Sequence, residues 1–466
     1  MSRDSDKLGN SKVSRRDFLA GALGTAAFTV VPSHVLGGDG APSNTLNLAL
    51  IGTRGRARAH YGWMDDENVV ALCDVDGINL GRAEKKFSKA EKYTDWRKCL
   101  DQKNLDGVVI CTPDHQHAFI STWAMNRDLH VYGEKPLGHS VEECRVVREK
   151  YLEKKHKIAT QNGTQRHAID NFNRVHELVR DGAIGELDDV HVWGRRQIPR
   201  PGYPAKKGSP PDYLDFDKWV GPSPYHPYNP SYFAGYKIPQ DHKGNPGGSN
   251  CLNWNMYWDF GSGQVGDMGS HTMDLVWGAI EGSRPISAQA EGEKFNPDVT
   301  PVKMKATFEL PANDWRPGIT VTWWQGQMMP PSPRSHVDLT RIGHGAMLKG
   351  SKGFIICSFR QRLIIPHGSN ADMTYYDAPE SEDDLMDPLG NFAKEWTNAC
   401  KTDLKTTCDF DYSGTMTELM ELGLVAYQVD GKIKYDPDRG RVTNNAKADG
   451  LVSRKNLYRD GWVLDG

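Results

Sequence analysis

The chain has 466 residues, with 60 acidic and 57 basic side chains and a net charge of −3, long enough for two or three domains with ample cores. The near balance of charge gives no electrostatic case for nucleic acid or an anionic membrane as partner. Eight cysteines form no C-x-x-C pair, so neither a zinc knuckle nor a redox dithiol is indicated.

Residues 1–40 read as a leader. Ser14-Arg15-Arg16-Asp17-Phe18-Leu19 precedes an apolar run from Phe18 to Val31 that Pro32 ends. The run is short for a membrane span and matches the apolar core of a secretion signal. It resembles a twin-arginine export signal, with Ala20 where a lysine is frequent. An exported, periplasmic protein is expected, with no membrane span in the mature chain. No clean A-x-A site is present, so the mature start falls near Gly37 to Ser43, or an uncleaved signal remains as a tether.

Thr45 to Asp76 is the stretch around which the rest of the chain is organised. Leu46, Leu48, Leu50 and Ile51 make a short buried strand, which runs into a glycine turn and a segment that can be helical to about Met64. A second strand, Val69 to Cys73, ends in Asp74. A strand–turn–helix–strand unit with an acid about 20 residues past the glycines is what a dinucleotide needs. A helix N-terminus offers free N–H groups to the pyrophosphate, and Asp74 suits the ribose hydroxyls of NAD rather than the phosphate of NADP. The glycine pattern departs from G-x-G-x-x-G: counting from Gly52, Arg54 holds the second glycine position, with Gly55 one place late and Ala57 third. The Thr53 hydroxyl and Arg54 guanidinium are candidates to replace part of the pyrophosphate contact.

Further strands and helices alternate. A helix spans about Asn79 to Phe87, and Asp95 can cap the next one. The apolar strand Gly107 to Cys111 ends in Thr112-Pro113-Asp114-His115-Gln116-His117, followed by a helix to about Arg127. Strand Leu129 to Tyr132 ends in Gly133-Glu134-Lys135-Pro136. Ser140 and Glu143 form a capping box for a helix to about Lys155, and strand Lys157 to Gln161 closes this half. Such alternation specifies an α/β fold, a Rossmann doubly wound parallel sheet over residues 44–162, with ligands at the carboxyl ends of its strands.

The pattern then changes to an α+β domain over 163–435, with a tail over 436–466 packing back on the body. Asn171 to Asp181 is helical and Val190 to Arg195 extended. Arg200 to Asn250 is rich in Pro, Gly and Tyr, and is too long for an ordinary connection. Segments 302–309, 319–324, 346–349, 354–357 and 363–365 predict an open, largely antiparallel sheet, with helices over 391–400 and 412–428 packed on it. An open face of this kind usually needs a partner, so a homo-oligomer is expected.

Three motifs carry chemistry, each with a plainer reading beside it. Pro136 fixes the backbone before it, so Lys135 at a strand end can stabilise a developing alkoxide; an isolated E-K-P is more often a solvated turn. Asp267 and His271 are four apart and share a helix face, where Asp267 can orient an imidazole base; alone they would be an N-cap and a core histidine. His115 and His117 invite a metal reading with Asp267 and His271, but a helix start beside nicotinamide explains them more simply, and no metal is expected.

Taken jointly, the glycine turn with Asp74, Thr112-Pro113 with His117, Glu134-Lys135-Pro136, Gln161-Asn162-Gly163-Thr164-Gln165, and Asp267 with His271 resemble the glucose–fructose oxidoreductase/inositol dehydrogenase family (Gfo/Idh/MocA). The likeness extends to Leu214 to Pro222 and Tyr458 to Trp462, and is strongest to the exported branch of that family. It implies Lys135, Asp267 and His271 as catalytic group, Asp74 on the adenine ribose and Glu134 near the nicotinamide. Nucleotide contacts are expected from Gly52, Thr53, Arg54, Gly55, Asp74, Thr112, Pro113, His115, His117, Glu134, Lys135 and Gln165. The implied activity passes a hydride between NAD(P) and a sugar, glycoside or cyclic polyol carbon. Aromatic residues crowd the start of the second half, as suits pyranose faces. Arg195, Tyr236, Trp254, Asp267 and His271 are the expected substrate contacts, with Arg196 and Gln165 as further candidates. A redox-neutral, NAD-dependent glycosidase working through a 3-keto sugar, and a non-catalytic secreted sugar-binding protein, are the alternatives.

Overall fold

The computed structural model describes residues 44–196, 199–233, 251–368 and 385–466; the leader and Tyr236 lie outside the described residues. The first sheet holds β1 (Asn47–Ile51), β2 (Asn68–Cys73), β3 (Glu91–Tyr93), β4 (Gly107–Ile110), β5 (His130–Gly133) and β6 (Thr160–Asn162). All pairings are parallel, in the order β3-β2-β1-β4-β5-β6. Both faces of the central strands are covered, which is why they read as unbroken apolar runs. Ala49, Val108, Ile110 and Val131 face Phe119 and Val147 of the helices Asp114–Asn126 and Val141–Lys154. Leu48, Leu50, Val109 and Tyr132 face Trp63, Met64 and Trp396, the last on helix Phe392–Lys401 from far along the chain. The strand order reverses between β1 and β4, which opens a crevice at their carboxyl ends.

The predicted helix after the glycine turn is replaced by two short 3-10 turns, Gly55–Ala59 and Trp63–Asp66. Gly52 and Gly55 both take positive φ, Arg54 between them is extended, and no side chain caps the first turn. A long helix therefore never nucleates. Gly52 is obligatory for space as well: a Cβ there would lie 2.6 Å from the Cys111 carbonyl oxygen. Elsewhere the caps form as expected. Asp95 accepts from the Arg97 amide, and Ser140 from the Glu143 amide. Glu143 reaches back one residue further than the usual box, to the His139 amide at 2.9 Å. The last strand of this sheet starts later than expected, at Thr160.

The second sheet has nine strands: β7 (Leu187–Gly194), β8 (Ser287–Gly292), β9 (Met304–Leu310), β10 (Ile319–Gln325), β11 (His344–Gly350), β12 (Gly353–Ser358), β13 (Arg362–Pro366), β14 (Ile433–Asp436) and β15 (Arg441–Val442). Their order is β13-β12-β11-β7-β10-β9-β8-β14-β15. β7 and β10 run parallel and the other neighbours antiparallel. Its inner face packs Phe308, Val321 and Trp323 against Met416, Leu419 and Met420 of helix Phe410–Tyr427 and against helix Ser270–Trp277. The other face carries Trp193, Met347 and Ile356, with the loop residue Leu339 over them and Trp324 and Ile365 half-buried. No helix among the described residues is long and apolar enough to cross a membrane.

The last residues return to the first sheet. The Tyr458 hydroxyl donates to Glu143 at 2.9 Å, and Trp462 packs against Trp96 with the Arg97 guanidinium 4.5 Å from its ring.

Candidate active site

A cavity of about 930 Å3 opens at the carboxyl ends of β1, β2, β4 and β5, with Gly52, Asp74, Thr112 and Lys135 in its wall. At one end, the Arg54, Gly55 and Arg56 amides donate to no described residue. Three consecutive free N–H groups beside a glycine turn form a cradle suited to a pyrophosphate. Asp74 lines the same end. Its carboxylate takes the Thr53 amide and hydroxyl, both at 2.8 Å, and the Asp76 amide at 2.9 Å. The Thr53 hydroxyl thus serves Asp74, not the pyrophosphate as the sequence suggested. Burial raises the Asp74 carboxyl, while these amide contacts oppose the shift. Arg54 and Arg82 also line this end. The Arg54 guanidinium is held below its ordinary value by burial, then by Arg82 and Arg58.

The middle is built at the ends of β4 and β5. Thr112 and Pro113 form the wall. The ring nitrogens of His117 lie 2.8 Å from the Thr112 and Pro136 carbonyl oxygens, tying the two strand ends together. Glu134 accepts from Arg56 Nε at 2.8 Å and lies 2.7 Å from His60 Nε2. Burial works against its charge, but Arg56 and His60 outweigh it and hold the carboxyl down at about 2. Glu134 is therefore a brace between β5 and the glycine loop. Gly163 makes room for it, since a Cβ there would lie 2.7 Å from the carboxylate.

The far end joins both halves of the body. Lys135 Nζ, next to the cis Lys135–Pro136 peptide, donates to Asp267 Oδ1 at 2.7 Å. Asp267 sits in a π-turn, Val265–Gly269, that runs into helix Ser270–Trp277. Burial disfavours the Lys135 charge, yet Asp267, Cys251 and Asp114 raise its ammonium above the ordinary lysine value. His271 faces the cavity one turn on. Burial, then Lys135 and Arg166, hold its imidazole well below its ordinary value, so it is neutral. Its Nδ1 is buried without a hydrogen-bond partner among the described residues. The helix is anchored behind it, where Asp274 Oδ1 accepts from the Tyr412 hydroxyl and contacts His167 Nδ1, both at 2.8 Å.

Several expected contacts change place. Asp267 does not orient His271; its carboxylate is the counter-ion of Lys135 and of Arg196, whose Nη1 lies 3.4 Å away. His115 is a core histidine, with Nε2 2.9 Å from the Trp219 carbonyl and Nδ1 3.3 Å from that of Phe260. It does not line the cavity, and burial pushes it down to about 4. Its side chain is therefore turned away from the cavity wall, with both ring nitrogens facing carbonyl oxygens. Arg195 points away, to the Thr340 carbonyl, and Arg196 takes its place in the wall. Gln165 and Trp254 line the cavity.

Asp114, Arg166 and Cys251 were missed. Asp114 begins the helix after β4 and lines the cavity with Lys135. Burial raises its carboxyl to about 8, with Asp267 adding to the rise and Lys135 opposing it. Its place inside Thr112-Pro113-Asp114 was the available signal. Nothing in the local sequence of Arg166 or Cys251 marks either.

Residues 46–162 match the model of an oxidoreductase family with an NAD-binding Rossmann fold, Gfo/Idh/MocA. A glycosyl hydrolase family 109 protein of Stenotrophomonas maltophilia is 30% identical over 230 residues, 45% of this chain and 48% of the relative. A myo-inositol 2-dehydrogenase of Thermotoga maritima is 26% identical over 139 residues, 30% of this chain and 41% of the relative. The chain thus spans at most about half the length of these curated relatives. Among solved structures, the WlbA dehydrogenase of Bordetella pertussis in complex with NADH and UDP-GlcNAcA has the same fold, with a TM-score of 0.58 at 15% identity over 84% of this chain and 98% of that one.

Proposed function

We propose that this chain, which carries the NAD-binding domain of the Gfo/Idh/MocA oxidoreductase family, oxidises a ring hydroxyl of a sugar, glycoside or cyclic polyol and keeps its nucleotide for reuse. The observation that carries this is the Lys135–Asp267 ion pair beside a neutral His271, in one cavity with the free amides of the glycine turn. The Arg54 to Arg56 amides would hold the pyrophosphate, Asp74 the adenine ribose, and Thr112, Pro113 and the braced Glu134 the nicotinamide end. When bound, the nucleotide supplies a hydride acceptor at the nicotinamide ring.

The protein's part is proton handling. His271 is in the protonation state of a base and takes the hydroxyl proton. Lys135 donates a hydrogen bond to the same oxygen as negative charge develops there, and a preorganised ammonium is worth far more in this enclosed site than in water. Asp267 holds that ammonium in place and charged.

A second reading, favoured by the glycosyl hydrolase family 109 relative, makes the same residues part of a redox-neutral glycosidase. Oxidation at C3 acidifies the C2 proton, the aglycone leaves by elimination, water adds, and the ketone is reduced again. Export through a twin-arginine signal, where free NAD is scarce, fits a cofactor recycled in place under either reading. The half-buried outer face of the second sheet, with Trp324 and Ile365, fits assembly with a second copy.

The test is an ultraviolet spectrum of the purified full chain titrated with sugars and glycosides. Reduced-nicotinamide absorbance with a stable keto-sugar supports the oxidoreductase. Aglycone release without net reduction supports the glycosidase. Protein that carries no nucleotide and shows no absorbance change favours the non-catalytic sugar-binding reading.

A further inference from the structure

We propose that the sugar accepted by this cleft carries an oxyanion substituent, a carboxylate or a sulfate or phosphate ester, bound between Arg166 and Arg196. This deepens the sugar reading above and rests on it for the identity of the ring.

Arg166 follows β6 in the turn Gln165–Ala168, and Arg196 lies just beyond β7, so two elements from different sheets aim guanidinium groups into one end of the cavity. Arg166 is stacked on the Phe359 ring, its Cζ 4.1 Å from the centroid, and its buried Nε–H has no acceptor among the described residues. The Arg196 side chain is 45% exposed, and its described charged contact is a loose one, 3.4 Å to Asp267. Asp267 is already taken by Lys135 at 2.7 Å. Three cations therefore share one carboxylate.

No other described acid at this end is free to help. Glu134 is consumed by Arg56 and His60. Asp114, with its carboxyl raised to about 8, is largely protonated at neutral pH. The repulsion is felt by the neighbours. Burial first, then Arg196 and Arg360, lowers the Arg166 guanidinium, and burial, then Arg166, pushes His344 down to about 4.

Half-buried cations without a counter-charge are costly unless a ligand supplies one. Planar guanidinium groups match a carboxylate or a sulfate or phosphate ester through paired N–H donors, and a neutral hydroxyl gains less from the same contact. The nucleotide does not meet this need, because its phosphate cradle is at the Gly52–Arg56 end. A charged substituent here also orients the ring, which places one chosen hydroxyl at Lys135 and His271.

The experiment uses the full chain with its bound nucleotide and matched pairs of ligands in the gluco, galacto and manno series. Methyl glycosides, methyl uronides and the 6-sulfates are titrated by calorimetry, with nicotinamide absorbance read in parallel. We expect one anionic member to bind at least tenfold tighter than its neutral partner, with the ratio shrinking as sodium chloride is raised. The uronide and sulfate arms distinguish the planar from the tetrahedral anion. Arg166→Met should bring that ratio close to one and Arg166→Lys should retain part of it, with nucleotide retention checked in each. Equal binding of neutral and anionic partners, no binding by any anionic member, or a ratio that survives in Arg166→Met would overturn the proposal. An anionic ligand that binds tightly but never reduces the nicotinamide would leave the subsite standing and remove the oxidoreductase reading.

Discussion

Lys135 and Asp267, 132 positions apart in the chain, meet at 2.7 Å and bind the end of β5 to the π-turn of the second half. This contact fixes the ammonium and sets its charge. Lys135→Met should lower turnover by roughly a hundred- to a thousandfold, the scale for removing one preorganised donor, with nucleotide still present after gel filtration. Unchanged turnover would refute the role. Asp267→Asn should move the alkaline limb of kcat/KM down by roughly a unit or more, since the group that holds Lys135 charged is gone.

His271 predicts the acidic limb. Its pKa is lowered by burial, Lys135 and Arg166, so the base stays competent as pH falls below the ordinary histidine value near 6.5. A kcat/KM profile that stays flat below that value is expected. A limb centred at or above 7 would show that another group is the base.

Glu134→Gln should weaken NAD binding by roughly ten- to a hundredfold, as for loss of a charge-assisted pair, because Arg56 and His60 then no longer hold the glycine loop against β5. Equilibrium dialysis of the wild type and the variant gives the answer directly.

In the proposed placement of the nucleotide, Asp74 and its neighbours Arg54 and Arg82 would set the choice of dinucleotide. Asp74→Ser removes the repulsion toward a ribose 2′-phosphate and leaves two arginines beside it. The NADP-to-NAD affinity ratio should rise at least about tenfold. No change in the ratio would mean that the ribose lies elsewhere.

His115 couples folding to pH. Held near pKa 4 in the folded chain, it stays neutral while the unfolded chain takes up a proton below about 6.5. The unfolded state then binds more protons, so stability is lost as pH falls from 6.5 toward 4, by up to about 1.4 kcal/mol per pH unit. Denaturant midpoints measured over this range should fall less steeply in His115→Gln than in the wild type.

The parallel sheet was legible because Leu48–Ile51 and Gly107–Ile110 are buried on both faces, and a run of apolar residues records that burial. The cleft was legible because ligand motifs gather at strand ends. Partnerships across the chain were not legible. Spacing places Asp267 and His271 on one helix face, but only the fold brings Lys135 close enough to claim the carboxylate. Arg195 and Arg196 are equivalent in sequence, and the final direction of β7 decides which one turns inward. β8, Ser287–Gly292, escaped notice because Ser-Ala-Gln-Ala-Glu-Gly has little apolar alternation. Its pairing with β9 and β14 on either side supplies what its side chains lack.

Trp462 lines the same end of the cavity as Trp96 and Asp95. That part of the wall is therefore complete only when residues 458–462 dock beside the first sheet, far along the chain from the glycine turn. A variant cut before Tyr458 should keep both sheets and the Lys135–Asp267 pair yet hold dinucleotide weakly, an outcome that rests on one docked indole.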